Sequence, residues 1–235
     1  MAHDLQTRIA RDGFALVGNV VGHEAIEALK AAFANPALTR SERDGETYGA
    51  RNLFTLEAVR DCVHLPALRL RLAPLFDGEF HAVRAIFFDK TAKANWPVPW
   101  HQDLSIAVRG RCEIPRWTNW TIKGDIDHVQ APPEFLAQMI IVRIHLDDCP
   151  SDNGPLRVMA GTHLRGRIRQ EDIGEIVRAQ SGGVVIASTG DVLFMRPLLL
   201  HASSQARKPT HRRVLHLEFA PDGFLPPELD WAAIA

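Results

Sequence analysis

Trp100-His101-Gln102-Asp103 stands near the middle of the chain, and His201 and Arg212 stand near its end. Two imidazoles and one carboxylate can occupy one face of a ferrous ion and leave the opposite face open, which is the ligand set of non-haem iron oxygenases. An arginine beyond the second histidine could then hold the acid co-substrate that such iron requires. The same donors also suit zinc, so residue types alone leave the metal open. His-x-Asp is a weak signal by itself. His145-Leu146-Asp147 repeats it, and His216-Leu217-Glu218 offers a glutamate version. All three pairs have the spacing that puts both side chains on one face of a strand.

Context separates them. Asp147 opens Asp147-Asp148-Cys149-Pro150, where carboxylates commonly close turns through nearby backbone. His216 and Glu218 read as a same-face polar pair on the last strand. His101 and Asp103 instead follow the stiff stretch Trp96-Pro97-Val98-Pro99-Trp100 and precede a long segment without a regular pattern, as at the mouth of a barrel. His201 closes the apolar run Leu198-Leu199-Leu200, a setting in which a histidine is often a hydrogen-bonded core residue.

These residues need elements to carry them. Ile26, Leu29, Ala32 and Phe33 recur at helical spacing and predict a helix over residues 23–33, stopped by Asn35-Pro36. A strand is expected over residues 11–21, a polar loop over 39–52, and a second helical stretch over 53–76, interrupted near Pro66 and Pro74. Strands are then expected over 80–90, 138–146, 183–186, 191–195, 198–202 and 213–219, with Asn153-Gly154-Pro155 and Gly190-Asp191 as turns. Helices first and short strands later predict a mainly β fold with flanking α-helices around a barrel or sandwich core. Residues 105–133 fit no period and read as a long irregular loop, a kind of segment that is often functional. Within it, Trp117, Trp120 and Lys123 could form a lid that touches substrate; a packed surface loop accounts for the aromatics equally well.

The chain has 235 residues, 46% hydrophobic and 23% charged, enough for one sizeable core. A formal net charge of −1 gives no overall field for nucleic acid or anionic membrane. Arg165, Arg167 and Arg169 read as a solvated loop. Cys62, Cys112 and Cys149 have no paired spacing and suggest reduced thiols. The first residues lack a secretory pattern, and no apolar run approaches the roughly 20 residues that span a bilayer. A cytoplasmic protein acting on a small molecule is expected; oligomeric state is not legible.

Several ordered motifs resemble the phytanoyl-CoA dioxygenase family: Trp100-His101-Gln102-Asp103, the stretch from Asp152-Asn153-Gly154-Pro155 through Val158, Gly161-Thr162-His163, Gly190-Asp191-Val192-Leu193-Phe194 and His201-Ala202-Ser203. The opening Asp12-Gly13-Phe14 resembles the family's start as well. The resemblance implies an iron(II)- and 2-oxoglutarate-dependent dioxygenase with O2 as a further co-substrate, built on a double-stranded β-helix, the cupin-like jelly-roll barrel. It implies a single domain, with a helical flank over about residues 1–78, a barrel core over about 79–220 and a lid-like insertion over about 105–133. By the family's pattern His101, Asp103 and His201 would ligate iron and carry the catalysis. Arg212 would bind the distal carboxylate of 2-oxoglutarate, with the Ser203 hydroxyl assisting. Arg213 is adjacent and could take that role instead; strand parity groups Arg212 with Val214 and His216, and Arg213 with Leu215, Leu217 and Phe219. Ala160 replaces a usual proline, and Ala206 and Lys208 stand where many members carry polar residues. Asp103 is retained, so halogenation is not implied. Hydroxylation of a small metabolite, with succinate as coproduct, is the expected reaction; desaturation stays open. A cupin-like divalent-metal isomerase or hydrolase, or a non-catalytic metabolite-binding barrel, is the alternative.

Overall fold

The computed structural model describes residues 2–35, 40–43 and 46–235. Helix α1 (Ala2–Asp12) leads into β1 (Phe14–Val17) and α2 (His23–Ala34). Strands β2 (Arg40–Arg43) and β3 (Glu46–Arg51) pair with each other, and short helices α3 (Glu57–Val63) and α4 (Pro66–Leu72) follow. Next come β4 (Phe80–Lys90), β5 (Val98–His101), β6 (Ser105–Arg109), β7 (Thr118–Lys123), β8 (Ile126–Gln130), α5 (Pro133–Leu136) and β9 (Ile140–His145). The remainder comprises β10 (Leu156–Val158), α6 (Gln170–Ala179), β11 (Gly183–Val185), β12 (Val192–Met195), β13 (His201–Ser203), β14 (Arg212–Pro221) and β15 (Asp230–Trp231).

The strands form a seven-stranded sheet in the order β1-β12-β9-β14-β4-β3-β2, a four-stranded sheet β11-β10-β13-β5, and a second four-stranded sheet β15-β6-β8-β7. Ile141, Leu193 and Met195 of the large sheet meet Leu156, Val158 and Val185 of the first small sheet, so these two sheets close on one another as a jelly roll. The helices cover the opposite face of the large sheet. There Ile26, Leu29 and Phe33 of α2 and Leu68 and Leu72 of α4 pack with Phe194, Leu217 and Phe219.

Strand alternation decides what the interior receives. In β9, Ile140, Val142 and Ile144 join the helix-side cluster, which turns Ile141, Arg143 and His145 inward. In β14, Leu215, Leu217 and Phe219 face the helices, which sends Arg212, Val214, His216 and Glu218 to the concave side. β4 pairs with β14 in register, and its Arg84, Ile86, Phe88 and Lys90 share that side. Three adjacent strands thus turn cations to one side of the sheet.

Several expectations need correction. Residues 105–133 are not irregular: they hold β6, β7, β8 and the start of α5. Gly124 and Asp125 join β7 to β8 at φ +59° and +62°, the left-handed geometry of a two-residue hairpin turn. The expected loop over 39–52 carries β2 and β3 where it is described; residues 39, 44 and 45 lie outside the described residues. The first expected strand is shorter, because α1 runs to Asp12. Residues 198–200 form a turn leading into β13. Among the described residues no helix is long and apolar enough to cross a membrane.

Candidate metal centre

His101 and His201 are direct partners across the antiparallel pair β5–β13, so one register brings together residues remote in sequence. Their ring centroids lie 4.2 Å apart. Asp103 sits just beyond β5, where its backbone N–H donates to Pro197 O at 2.9 Å. Its carboxylate lies 3.7 Å from His101 Nε2 and 3.5 Å from His201 Nε2. One ligand atom from each residue falls within 4.8 Å of the other two.

Backbone carbonyls fix the ring tautomers. Nδ1 of His101 is 2.8 Å from Pro99 O, and Nδ1 of His201 is 2.9 Å from Leu199 O. A carbonyl only accepts, so each Nδ1 carries the proton and each Nε2 offers its lone pair beside Asp103. Burial pushes His201 down to about 4, which keeps the ring neutral and able to ligate. Burial opposes the charge on Asp103, but positive charge around it, from His201 and His101 when protonated and from Arg84, outweighs burial and holds the carboxyl well below its usual range. Between the ligands, Gln102 ties the strand to its surroundings. Its amide donates to Gly166 O at 2.8 Å and Leu198 O at 2.7 Å, and its oxygen accepts from Ile168 N–H at 2.8 Å.

Deeper in the barrel lie three buried or nearly buried cations. Lys90 is 2% exposed and donates to Ser203 Oγ at 3.0 Å and Ser204 O at 3.1 Å. Arg212 is 7% exposed; it donates to Gly154 O, and its Nε has no partner. Arg143 reaches His216 Nδ1 at 3.0 Å, and its Nε also lacks a partner. Among the described residues no ion pair joins a carboxylate to any of the three. Asp89 acts on Arg212 and Asp103 on Arg143 only as neighbouring charges, and Asp89 is itself held by His211 at 2.8 Å. Burial, then the guanidiniums of Arg212 and Arg143, push Lys90 down to about 7. Such a cluster leaves buried charge uncompensated, a costly arrangement unless an anion joins it. Gly154 belongs to the same cradle: at φ +62°, a Cβ there would lie 2.7 Å from Ser204 O.

The sequence profile of the phytanoyl-CoA dioxygenase family matches residues 9–214. The chain belongs to this family. Its fold is shared with several solved structures. AviO1 from Streptomyces viridochromogenes Tue57 shares 22% identity over 96% of this chain and 97% of its own, with a TM-score of 0.68. HygX from Streptomyces hygroscopicus, solved with nickel, 2-oxoglutarate and hygromycin B, shares 14% identity over 95% of this chain and 88% of its own, with a TM-score of 0.68. SnoN, an epimerase of nogalamycin biosynthesis solved with Fe3+, alpha-ketoglutarate and nogalamycin RO, shares 15% identity over 94% of this chain and 83% of its own, with a TM-score of 0.68. A search of curated proteins found no significant match. The cofactors that go with the phytanoyl-CoA dioxygenase family, iron and 2-oxoglutarate with O2 as usual co-substrate, fit the residues present. Two neutral imidazoles and an ionised carboxylate converge with their lone pairs, and the uncompensated cations beside them match a dianion.

The other expected site residues fall in different places. Ser203 meets Lys90; no hydrogen bond joins it to Arg212 among the described residues. Arg213 is taken by Asp147, its Nε at 2.8 Å and its Nη2 at 2.7 Å from the carboxylate, and its backbone N–H donates to the same group. That pairing also replaces the expected turn closure by Asp147 through nearby backbone. Trp117 is buried, packing on Phe135 with ring centroids 5.0 Å apart, and the partly buried Trp120 joins the same cluster. Neither lines the cavity at the triad, whereas Lys123 does. Lys90 and Arg143 were reachable from the sequence by one signal: a cation on the inward parity of an otherwise apolar strand, as in Ile140-Ile141-Val142-Arg143-Ile144.

Proposed function

We propose that the protein is an iron(II)- and 2-oxoglutarate-dependent dioxygenase that hydroxylates a small metabolite. His101, Asp103 and His201 would hold the metal, and Arg212 the far carboxylate of 2-oxoglutarate as a charge-assisted pair. Lys90, steadied by Ser203, would share that carboxylate, and Arg143 the end nearer the metal. Iron(II) with 2-oxoglutarate and O2 supplies an oxidant able to take hydrogen from carbon, with succinate and carbon dioxide formed alongside.

The chain's own contribution is positional. The carbonyls of Pro99 and Leu199 hold the ligating tautomers before any metal arrives. The ligands gather on one side, leaving the cavity side for co-substrate and substrate. Burial of the deep cations keeps water from competing with the co-substrate's carboxylates. The observation that carries this reading is the uncompensated cluster of Lys90, Arg143 and Arg212 next to the triad. A Lewis-acid isomerase or hydrolase has no need of it.

The test is anaerobic addition of iron(II) and 2-oxoglutarate. A weak visible charge-transfer band that needs both components, followed by substrate-stimulated succinate release in air, is expected. Tight zinc retention with no band overturns the assignment.

A further inference from the structure

The cavity that opens onto the triad has a volume of about 460 Å³, and one of its walls is cationic. Arg51, Arg84 and Lys123 line it together with the ligands His101 and Asp103. Its acids are already engaged. Asp103 faces the two imidazoles, and Glu218 accepts from Arg84 Nη1 at 2.9 Å and lies 3.3 Å from His216 Nε2. Arg84 is further fixed by Ser105 O at 3.1 Å. Lys123 differs: no hydrogen bond or ion pair among the described residues engages its ammonium. Partial enclosure at the mouth, then the positive charges of Arg84 and Arg51, depress the pKa of this otherwise exposed lysine, so the three cations share one field.

The backbone places Lys123 at the edge of the cavity. It ends β7 immediately before the tight turn Gly124-Asp125, and a Cβ on Gly124 would stand 3.7 Å from Arg51 Cδ. The turn thus lies near the Arg51 side chain, and Arg51 and Lys123 both line the cavity. A divalent cation at the triad would make this edge more positive still. The rest of the lining mixes the amides of Gln130 and Gln170 with Ile86 and Phe88, a surface for a polar molecule of modest size.

We propose that the primary substrate carries an anionic group, phosphate or carboxylate, and that Lys123 receives it at the cavity mouth with Arg51 and Arg84 behind. The inference rests on the dioxygenase reading for the identity of the site, and it names the substrate class. It is independent of the deep cluster, which the co-substrate would fill.

The test uses full-length protein loaded with stoichiometric manganese(II) and saturating 2-oxoglutarate, so that the deep cations are occupied. Inorganic phosphate is titrated in, and its 31P relaxation enhancement by the manganese is followed. Saturable enhancement is expected, weakened about ten-fold or more by Lys123→Ala and largely kept by Lys123→Arg. The same titration with 13C-labelled acetate shows which anion the mouth prefers. 2-Oxoglutarate binding, measured in each sample, confirms that every variant is folded and loaded; Lys123→Gln replaces the alanine variant if it is not. Enhancement that does not saturate, or that Lys123→Ala leaves unchanged, means adventitious ion contact only and overturns the proposal. Failure of 2-oxoglutarate to bind the wild-type protein overturns the dioxygenase reading instead, and phosphate binding is then still judged by its dependence on Lys123.

Discussion

Arg212 and Arg213 are neighbours with opposite surroundings, and mutation separates their contributions. Arg213 spends its guanidinium on Asp147 in a partly exposed pair, 26% and 16% exposed. Arg213→Ala is expected to cost about 1 kcal/mol of stability or less and to leave 2-oxoglutarate binding unchanged, as denaturant melts and calorimetry would show. Arg212→Ala removes a buried donor and is expected to weaken 2-oxoglutarate binding roughly 10- to 100-fold. Equal effects of the two variants would sink the assignment. His201→Ala or Asp103→Ala should abolish succinate formation and manganese binding in a spectroscopic titration; normal turnover by either would remove the triad as the metal site. Lys90 adds a pH signature. With its pKa near 7 in the free protein, the amine is charged below that value and neutral above it. A dianion favours the charged form, so 2-oxoglutarate affinity should fall as pH rises through about 7 to 9, with net proton uptake on binding at about pH 8. Calorimetry in buffers of different ionisation enthalpy reads that uptake, and Lys90→Met should flatten the profile.

The strands that carry these residues were legible to different degrees, for physical reasons. β4, β9 and β14 have long apolar alternation, because one face packs on helices, and their positions followed from the sequence. The parity that set Arg212 apart from Arg213 followed from the same alternation. The third sheet was not seen. Apart from the half-buried Trp120, β7 is exposed, so Thr118-Asn119-Trp120-Thr121-Ile122-Lys123 carries little burial pattern. Its remaining signal, the Gly124-Asp125 turn, is short. A substrate lid and a packed loop account equally well for Trp117 and Trp120 in the sequence; in the sheet they pack on Phe135 and its neighbours. Gln102 also escaped notice, since its importance lies in three partners far away in sequence. Gln102→Ala would leave Gly166 O, Leu198 O and Ile168 N–H without this amide. A loss of about 2–4 kcal/mol is expected, with selective loss of hydrogen-exchange protection at the Ile168 amide. Unchanged protection there would show that the amide does not hold this segment against β5.

At the scale of the whole molecule, a formal net charge of −1 conceals an interior that is locally and strongly positive. Composition could not reveal this, because the charges that matter are set by which strand faces turn inward. The consequence is thermodynamic coupling between ligand and fold. Without an anion, Lys90, Arg143 and Arg212 are desolvated and repel one another, and the folded state bears that cost. A dianion bound among them removes the repulsion only in the folded state, so 2-oxoglutarate should raise thermal stability even before metal is added. At a concentration about 100 times its dissociation constant the gain is about 2.7 kcal/mol. For a chain of this length that corresponds to a rise in Tm of roughly 5–11 °C. Succinate, a shorter diacid, should give a smaller shift at equal concentration, and Arg212→Ala should lose most of it. His101→Ala should keep the metal-independent rise while losing any further increment from manganese, because the triad and the cation cluster are separate sites in the same barrel. A Tm indifferent to 2-oxoglutarate across this range would mean that the buried cations are compensated in some other way.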